Sequence, residues 1–384
     1  MGTRPAGRDV GARPMKVAVV GGGIGGLTAA AVLADEHDVT IHERSAGTEA
    51  VGAGIVLAAN AARALESLGL DLHAIARTVP AASFRRADDS LLQWLDLARL
   101  ATTFGPTFGL ERPVLHDALA TLSAGRVRMC NASEARVDRS DDPEVVTGGG
   151  GREHFDVVVG ADGIHSGVRA DLGLDRPLRY SGMTCWRGVL LEWDREGSVE
   201  YWGSGRRIGL VSVGEGTVYY YLVADAPPGD PGPDDVSSLR RHFAGFAGEA
   251  GEVLRRLDAL PPYHHDLFEL DRPTWGIGQV LLLGDAAHSM TPNLGQGAAM
   301  AIEDALALGP ALRPGSAGAL DRYRAVRRRR VRTVQLQSRR VGSLAQLHGA
   351  GARAVRDAAI RSTPAWVGRR QFRNLVEPGL RLLG

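Results

Sequence analysis

Cysteine is scarce in this chain: two residues, Cys130 and Cys185, occur among 384. Two thiols are too few to form a disulfide framework in a chain of this length, so a reducing cytoplasm is the expected compartment. Long apolar segments are also missing, because no run of about eighteen or more apolar residues occurs. The sequence therefore predicts a cytoplasmic protein that does not insert into a membrane.

An excess of charge of one sign is absent as well. The 45 basic and 44 acidic residues leave a formal net charge of +1 at pH 7. This balance gives no electrostatic reason to expect a nucleic acid or an anionic membrane as the partner. The hydrophobic fraction of 44% and the charged fraction of 23% are those of an ordinary soluble globular protein. The expected partner is therefore a small molecule, neutral or singly charged.

The first fourteen residues lack the apolar core of a signal peptide and are rich in arginine, glycine and proline. We expect residues 1–14 to form a flexible tail, and Met15 is an alternative first residue to Met1. Short apolar strands at residues 17–21 and 39–43 follow, with a helix of small residues at 27–34 between them. This βαβ pattern places the start of the regular fold near residue 15.

A glycine-rich turn joins the first predicted strand to the first predicted helix. Gly21, Gly23 and Gly26 form a GxGxxG pattern, and the acidic Glu43 follows about twenty residues later at the end of the next strand. The three glycines allow a tight turn, a close approach of backbone to a pyrophosphate, and close packing of helix on strand. The free N–H groups of the helix N-terminus suit a phosphate, and Glu43 suits ribose hydroxyls. The pattern predicts a dinucleotide site, which FAD and NAD share.

Two later segments each place a carboxylate directly after an apolar strand. Asp162 follows the strand predicted at residues 155–160, and Asp285 follows the strand predicted at residues 279–284. The strand ends of a parallel sheet face the ligand crevice, so both carboxylates can converge on one extended cofactor. The alternative interpretation is that each aspartate caps a helix.

The strand pattern changes twice along the chain. Residues 83–95 read as a hairpin and residues 178–225 as alternating strands with glycine-rich turns, before the apolar, parallel-sheet character returns near residue 279. We predict an α/β fold with a discontinuous Rossmann-like nucleotide-binding domain, an inserted antiparallel β-sheet domain and a C-terminal helical segment. The predicted boundaries are 15–80, 100–175 and 275–320 for the first domain, 81–99 and 176–274 for the second, and 321–384 for the C-terminal helices.

Three local features complete the pattern. We expect Asn60 to cap a helix that ends at Gly69. The basic run at residues 327–330 is interpreted as a solvated helix face, and His264 and His265 as loop residues beside two prolines.

From Lys16 to about Arg340, the glycine-rich turn and the two aspartate segments resemble, in kind and in order, the motifs of the class A flavoprotein monooxygenases, the para-hydroxybenzoate hydroxylase-like family. The resemblance implies that the first domain binds FAD and that the inserted sheet binds the substrate. Arg112, in the segment 110–119, matches the family's flavin-contacting arginine, and the loop at residues 292–297 would lie along the isoalloxazine ring. The cofactor-binding residues implied in this way are Gly21, Gly23, Gly26, Glu43, Arg112, Asp162, Asp285, Gly295, Gln296 and Gly297.

The resemblance also implies the reaction. Such an enzyme uses NADPH or NADH and O2 to hydroxylate a small aromatic or heteroaromatic substrate through a flavin C4a-hydroperoxide, and it needs no metal. One GxGxxG occurs, so the nicotinamide would dock transiently. Arg207 and Tyr219 fall where urate hydroxylase-like members carry an arginine and a tyrosine that contact substrate, and we group Pro292 with them as catalytic. Strand alternation places Tyr219 and Tyr221 on one face of the sheet and Tyr220 on the other.

Two alternatives remain at this stage. The segment at residues 186–188 resembles salicylate hydroxylase-like and zeaxanthin epoxidase-like members as much as Arg207 and Tyr219 resemble the urate hydroxylases. Epoxidation of an isoprenoid or polyene is therefore one alternative. The other is a flavin-binding protein without oxygenase activity.

Overall fold

The structure is a computed structural model that describes residues 13–44, 54–131, 135–137, 142–233, 235–257 and 262–383. Residues 1–12 of the predicted tail lie outside the described residues.

Helices and strands follow the order expected for an α/β protein with an inserted sheet. The strands are β1 (Lys16–Val20), β2 (Asp38–Glu43), β3 (Gly54–Leu57), β4 (Arg77–Thr78), β5 (Ala81–Arg86), β6 (Leu91–Asp96), β7 (Phe108–Glu111), β8 (Arg128–Asn131), β9 (Ala135–Val137), β10 (Glu144–Thr147), β11 (Arg152–His154), β12 (Val157–Gly160), β13 (Arg179–Leu190), β14 (Ser198–Trp202), β15 (Arg206–Gly214), β16 (Thr217–Asp225), β17 (Tyr263–Glu269), β18 (Gly276–Ile277) and β19 (Val280–Leu282). The helices are α1 (Ile24–Leu33), α2 (Ala59–Ser67), α3 (Leu72–Ile75), α4 (Leu97–Phe104), α5 (Arg112–Ser123), α6 (Gly167–Asp171), α7 (Val236–His242), α8 (Gly248–Arg256), α9 (Asp285–His288), α10 (Gly297–Leu312), α11 (Ala319–Ala345), α12 (Ala350–Arg361) and α13 (Ala365–Leu380), with 3-10 turns at Pro292–Leu294 and Arg381–Leu383.

A six-stranded sheet in the order β18-β19-β12-β1-β2-β8 holds the predicted cofactor motifs. The strands from β19 to β8 are parallel, so their carboxyl ends lie at one edge. Small residues let helix α1 pack closely against this sheet and against α10. A Cβ atom added at Gly25 would stand 2.6 Å from Leu283 Cδ2 and 3.2 Å from Ala301 Cβ. The sequence prediction of a βαβ unit feeding a parallel sheet is confirmed.

A seven-stranded sheet in the order β17-β13-β16-β15-β14-β5-β6 forms the inserted part of the fold, and its neighbouring strands are antiparallel except for the parallel pair β14 and β5. One face packs on α7 and α8 and buries Trp186 and Tyr220. Tyr219 and Tyr221 lie on the opposite face, as strand alternation predicts. The predicted fold class is therefore confirmed, with helices α11, α12 and α13 at the C-terminal end. None of the helices in the described ranges is long and apolar enough to cross a membrane.

Three local predictions are wrong. Asn60 lies inside α2, fully buried, and its amide bonds distant side chains instead of capping the helix. Within the run interpreted as a solvated face, Arg327 is buried and Arg330 is largely buried, because both pair with carboxylates of α10. His264 and His265 lie in strand β17, paired with β13.

Candidate functional site

A cavity of about 500 Å³ joins the carboxyl edge of the six-stranded sheet to the open face of the seven-stranded sheet. It brings together residues that are widely separated in the chain. The predicted site residues that line it are Gly23, Arg112, Arg207, Tyr219, Asp285, Pro292, Gly295 and Gly297. The predicted residues that do not line it are Gly21, Gly26, Glu43, Asp162 and Gln296.

The glycine-rich turn has the geometry that a pyrophosphate needs. Gly21 has φ +107°, and a Cβ there would lie 2.5 Å from the Ala161 carbonyl oxygen. A Cβ on Gly26 would lie 1.9 Å from the Gly21 oxygen, so these two glycines are required by packing. Gly23 differs, because a Cβ there would meet nothing within 4 Å and would point into open space. No side chain in the described part of the chain caps the N-terminus of α1, so its N–H groups are available to an anion.

Glu43 closes the turn from the neighbouring strand. Its Oε2 accepts a hydrogen bond of 2.5 Å from the Gly22 N–H. This contact fixes the carboxylate beside the turn, where the ribose hydroxyls of a dinucleotide would lie.

The two aspartates that follow buried strands have different surroundings. Asp162 accepts hydrogen bonds from the Ser166 hydroxyl (2.5 Å) and the Val168 N–H (3.0 Å), which is a helix-capping arrangement at α6. Burial raises the pKa of the Asp162 carboxyl, and these hydrogen bonds oppose that rise. A direct contact of Asp162 with FAD stays a prediction.

Asp285, by contrast, faces the cavity. Its side chain is surrounded by protein but keeps accessible surface on the cavity side, and it has no hydrogen-bond partner among the described residues. Burial raises the pKa of the Asp285 carboxyl, while the charges of His288 and Arg112 oppose the rise. A carboxylate left unsatisfied at the wall of a cavity suits a ligand that brings hydroxyl donors.

The open N-terminus of α1, the free space above Gly23 and the unsatisfied Asp285 together fit an extended dinucleotide. The N-terminus of α1 would bind the pyrophosphate, and Asp285 would accept hydrogen bonds from a polyhydroxyl chain. Arg112, exposed to the same cavity at the start of α5, adds a positive charge that suits a flavin or a phosphate.

The loop before α10 is held from behind by Asn60. The amide of Asn60 donates to Gln296 Oε1 (3.0 Å) and to Glu303 Oε1 (2.7 Å). Gln296 is therefore a support for the loop, while Pro292, Gly295 and the N-terminal residue Gly297 of α10 face the cavity.

A buried ionic network anchors both α10 and the segment around Asp285. Arg327 donates to Asp304 Oδ1 and to Glu303 Oε2, each at 2.7 Å, and Arg330 donates to Glu303 Oε1 at 3.0 Å. Asp304 Oδ2 lies 2.5 Å from His288 Nε2 and accepts the Gly284 N–H at 3.0 Å. The network thus ties α11 to the strand end that presents Asp285.

This network should make stability sensitive to acid. Burial alone would raise the pKa of the Glu303 and Asp304 carboxyls, but Arg327, Arg330 and His288 outweigh burial and hold both below their ordinary values. A carboxyl with a lowered folded-state pKa stabilises the fold above its unfolded pKa, about 4, and loses that contribution as pH falls. We expect the free energy of unfolding to fall by up to about 1.4 kcal/mol per pH unit for each carboxylate below pH 5.

Urea unfolding of the holoprotein between pH 7 and pH 3 measures this slope. Glu303→Gln should reduce the slope, whereas Glu36→Gln, at a half-exposed surface pair with Arg313, should leave it unchanged. Equal slopes in the wild type and in Glu303→Gln would show that Glu303 does not titrate with folding.

At the far end of the cavity, Glu200 connects the strands of the seven-stranded sheet. It accepts from Arg207 Nη1 (3.0 Å) through Oε1 and from the Tyr221 hydroxyl (2.9 Å) through Oε2. The second amino group of Arg207 donates to Asn293 Oδ1 (2.8 Å) in the loop before α10. Arg207 therefore links the sheet to the loop, and its charge is balanced by Glu200.

Sequence reasoning missed four residues of this end, namely Arg187, Glu200, Tyr221 as a hydrogen-bond donor, and Asn293. The pairing register of the neighbouring strands could have predicted the positions of Arg187 and Glu200. Arg187 is opposite Tyr221, and Glu200 is opposite Gly209, so both lie on the face that alternation assigns to Tyr219.

Gly209 makes room for the Tyr221 ring. A Cβ at Gly209 would lie 2.0 Å from Tyr221 Cζ, so Gly209→Ala must displace the ring and break its bond to Glu200. We expect this overpacking to cost about 1–3 kcal/mol of stability. In a Tyr221→Ala background the same substitution should cost far less, because the clash is gone. A double-mutant cycle by urea unfolding measures the difference, and equal costs in both backgrounds would contradict the packing argument.

Comparison with known proteins agrees with this geometry. The family described as FAD binding domain matches residues 14–338. The chain is 35% identical over 365 residues to 2-heptyl-3-hydroxy-4(1H)-quinolone synthase of Pseudomonas aeruginosa, spanning 91% of this chain and 94% of that protein. It is 36% identical over 357 residues to 3-amino-4-hydroxybenzoate 2-monooxygenase PtmB3 of Streptomyces platensis, spanning 85% and 87%.

A solved structure shows the same arrangement. Klebsiella pneumoniae HpxO, complexed with FAD and uric acid, superposes with a TM-score of 0.83 at 27% identity, over 95% of this chain and 97% of that one. The chain belongs to the class A FAD-dependent monooxygenases.

Proposed function

We propose that this protein binds FAD and uses NADPH or NADH with O2 to hydroxylate a small aromatic or heteroaromatic compound. The observation that carries the proposal is the continuous cavity, which joins the dinucleotide motifs to the open face of the seven-stranded sheet. Relatives named for a quinolone and an aminohydroxybenzoate, and a similar solved structure that holds uric acid, support the substrate class. The scarcity of cysteine supports the cytoplasm as its compartment.

When bound, FAD would be reduced by the nicotinamide and would activate O2. The chain would bind and orient the cofactor and the substrate, and it would exclude water. Gly21, Gly23, Gly26 and Glu43 would hold the ADP half. Asp285 would bind the ribitol hydroxyls, and Arg112 the flavin side of the cavity. The N-terminus of α10, at Gly297, would stabilise negative charge on the ring system.

The substrate would lie between the loop before α10 and the seven-stranded sheet. Tyr219 and Val223 give this end buried walls that exclude water, and Pro292 closes it on the loop side. Burial raises the pKa of the Tyr221 hydroxyl well above its ordinary value, so Tyr221 stays protonated and keeps donating to Glu200. This pair fixes Arg207 in place beneath the substrate.

Oxygen labelling tests the proposal. The holoprotein is incubated with NADPH or NADH under ¹⁸O₂ and a panel of benzoates, phenols, quinolones, purines and polyenes. We expect one ring-containing compound to stimulate nicotinamide oxidation and to gain one labelled atom, at a ring carbon. A label at an isolated double bond would indicate epoxidation, and stimulation by no compound would contradict the proposed activity.

A further inference from the structure

The substrate end of the cavity contains a half-buried arginine whose charge no carboxylate balances among the described residues that line it. Arg187 lies in the middle of β13, on the face shared with Tyr219 and Tyr221, and its side chain lines the cavity. The guanidinium is permanently charged at any physiological pH.

The partners of Arg187 are neutral. Nη2 donates to His265 Nε2 at 2.6 Å and makes a weak contact of 4.0 Å with Cys185 Sγ. His265 accepts this bond in its neutral form, because burial, Arg187 and His264 lower its pKa to about 4. The Nε donors of Arg187 and Arg207 are both buried and lack a hydrogen-bond partner among the described residues, so the two arginines differ in their charge balance.

The other charges of the cavity are accounted for. Among the described residues that line it, the carboxylates are Glu200 and Asp285. Glu200 pairs with Arg207 at 3.0 Å, and the charges that act on Asp285 are His288 and Arg112, at the cofactor end. Counted over the described lining residues, Arg187 therefore leaves the substrate end with one positive charge in excess.

A cation that lines a cavity without a counter-charge favours a ligand that brings a negative charge to its accessible N–H groups. We infer that Arg187 is the specificity-determining residue of this site and that it recognises an anionic oxygen of the aromatic substrate, carried as a carboxylate or as an ionised ring hydroxyl. This inference rests on the proposed function and assigns the recognition to Arg187 instead of the charge-balanced Arg207. A planar guanidinium suits both groups, and a carboxylate can accept two N–H bonds from it.

Ligand binding to the oxidised holoprotein tests the inference without turnover. Changes in flavin absorbance give the dissociation constants of matched pairs: 3-amino-4-hydroxybenzoate and its amide, salicylate and salicylamide, 4-nitrophenol and 4-nitroanisole. The variants are Arg187→Gln, Arg187→Lys and the control Arg206→Gln, whose side chain donates to the His242 carbonyl away from the cavity. Flavin content and thermal unfolding verify that each variant is folded.

In the wild type, at least one anionic ligand should bind tenfold or more tightly than its neutral partner. Arg187→Gln should weaken the anionic ligand by roughly 10- to 100-fold and leave the neutral one nearly unchanged, since a hydrogen bond to a charged group is lost. Arg187→Lys should recover part of the loss, and Arg206→Gln should have no effect. Tighter binding of the acid than of its amide would identify a carboxylate as the recognised group. Tighter binding of 4-nitrophenol than of 4-nitroanisole would identify an ionised hydroxyl.

The inference is wrong if no anionic ligand is preferred in the wild type, or if Arg187→Gln weakens both members of a pair equally. Anion selectivity that depends on Arg187, in a protein that incorporates no labelled oxygen, would contradict the proposed function while the recognition by Arg187 stands.

Discussion

Replacing Arg327 by methionine should lower the free energy of unfolding by about 3–5 kcal/mol and release the flavin. The side chain is 1% exposed and joins Glu303 to Asp304, both of which are fully buried. Removing the guanidinium leaves two carboxylates short of a cation inside the core, and their desolvation is no longer offset. Because Asp304 also accepts the Gly284 N–H, the strand end that presents Asp285 should lose its position.

The same run of arginines provides the control. Arg328 is exposed, one residue away on the same helix, and Arg328→Met should change stability by less than about 0.5 kcal/mol. Urea unfolding and flavin content of both variants measure the contrast. Equal, small losses in the two variants would mean that the network does not stabilise the fold.

Replacing Gly23 by alanine should abolish tight FAD binding while the protein remains folded. Gly23 has φ −73° and ψ −177°, which alanine adopts without strain, and the added Cβ would meet no protein atom within 4 Å. The methyl group would instead occupy space where the backbone must approach the pyrophosphate. We expect FAD affinity to fall by at least tenfold, about 1.4 kcal/mol or more.

Titration of the FAD-free protein with FAD, together with its thermal unfolding, measures the two effects separately. Gly351→Ala is the matched control, because Gly351 also has no atom within 4 Å of an added Cβ but lies in α12, away from the cavity. Unchanged FAD affinity in Gly23→Ala would show that the pyrophosphate does not lie over this turn.

The parts of the fold that local chemistry determines were readable in the sequence. Gly21 has a φ of +107°, and Gly26 packs against the oxygen of Gly21 five residues earlier, so their spacing predicted the strand, turn and helix. Alternation likewise predicted the separate faces of Tyr219 and Tyr220, because it depends only on the pleat.

The parts that depend on distant partners were not readable. Arg327 was predicted to be solvated because a basic run does not show which side of the helix faces the core. It also gives no sign of the partners Glu303 and Asp304, more than twenty residues earlier. A hint was present in α10 itself, where Glu303 and Asp304 interrupt a helix of small and apolar residues and so need buried cations. Asn60 was misplaced for the same reason, since its partners Gln296 and Glu303 are more than two hundred residues away.

We expect the cavity to hold an aromatic ligand against the flavin. The measurement that tests it most directly is the visible spectrum of the purified protein, titrated with the ligand panel and then mixed anaerobically with NADPH or NADH. We expect a bound flavin whose absorbance shifts saturably with one aromatic compound, and whose reduction is faster when that compound is bound. A protein without flavin, or a flavin whose spectrum and reduction rate respond to none of the compounds, would contradict it.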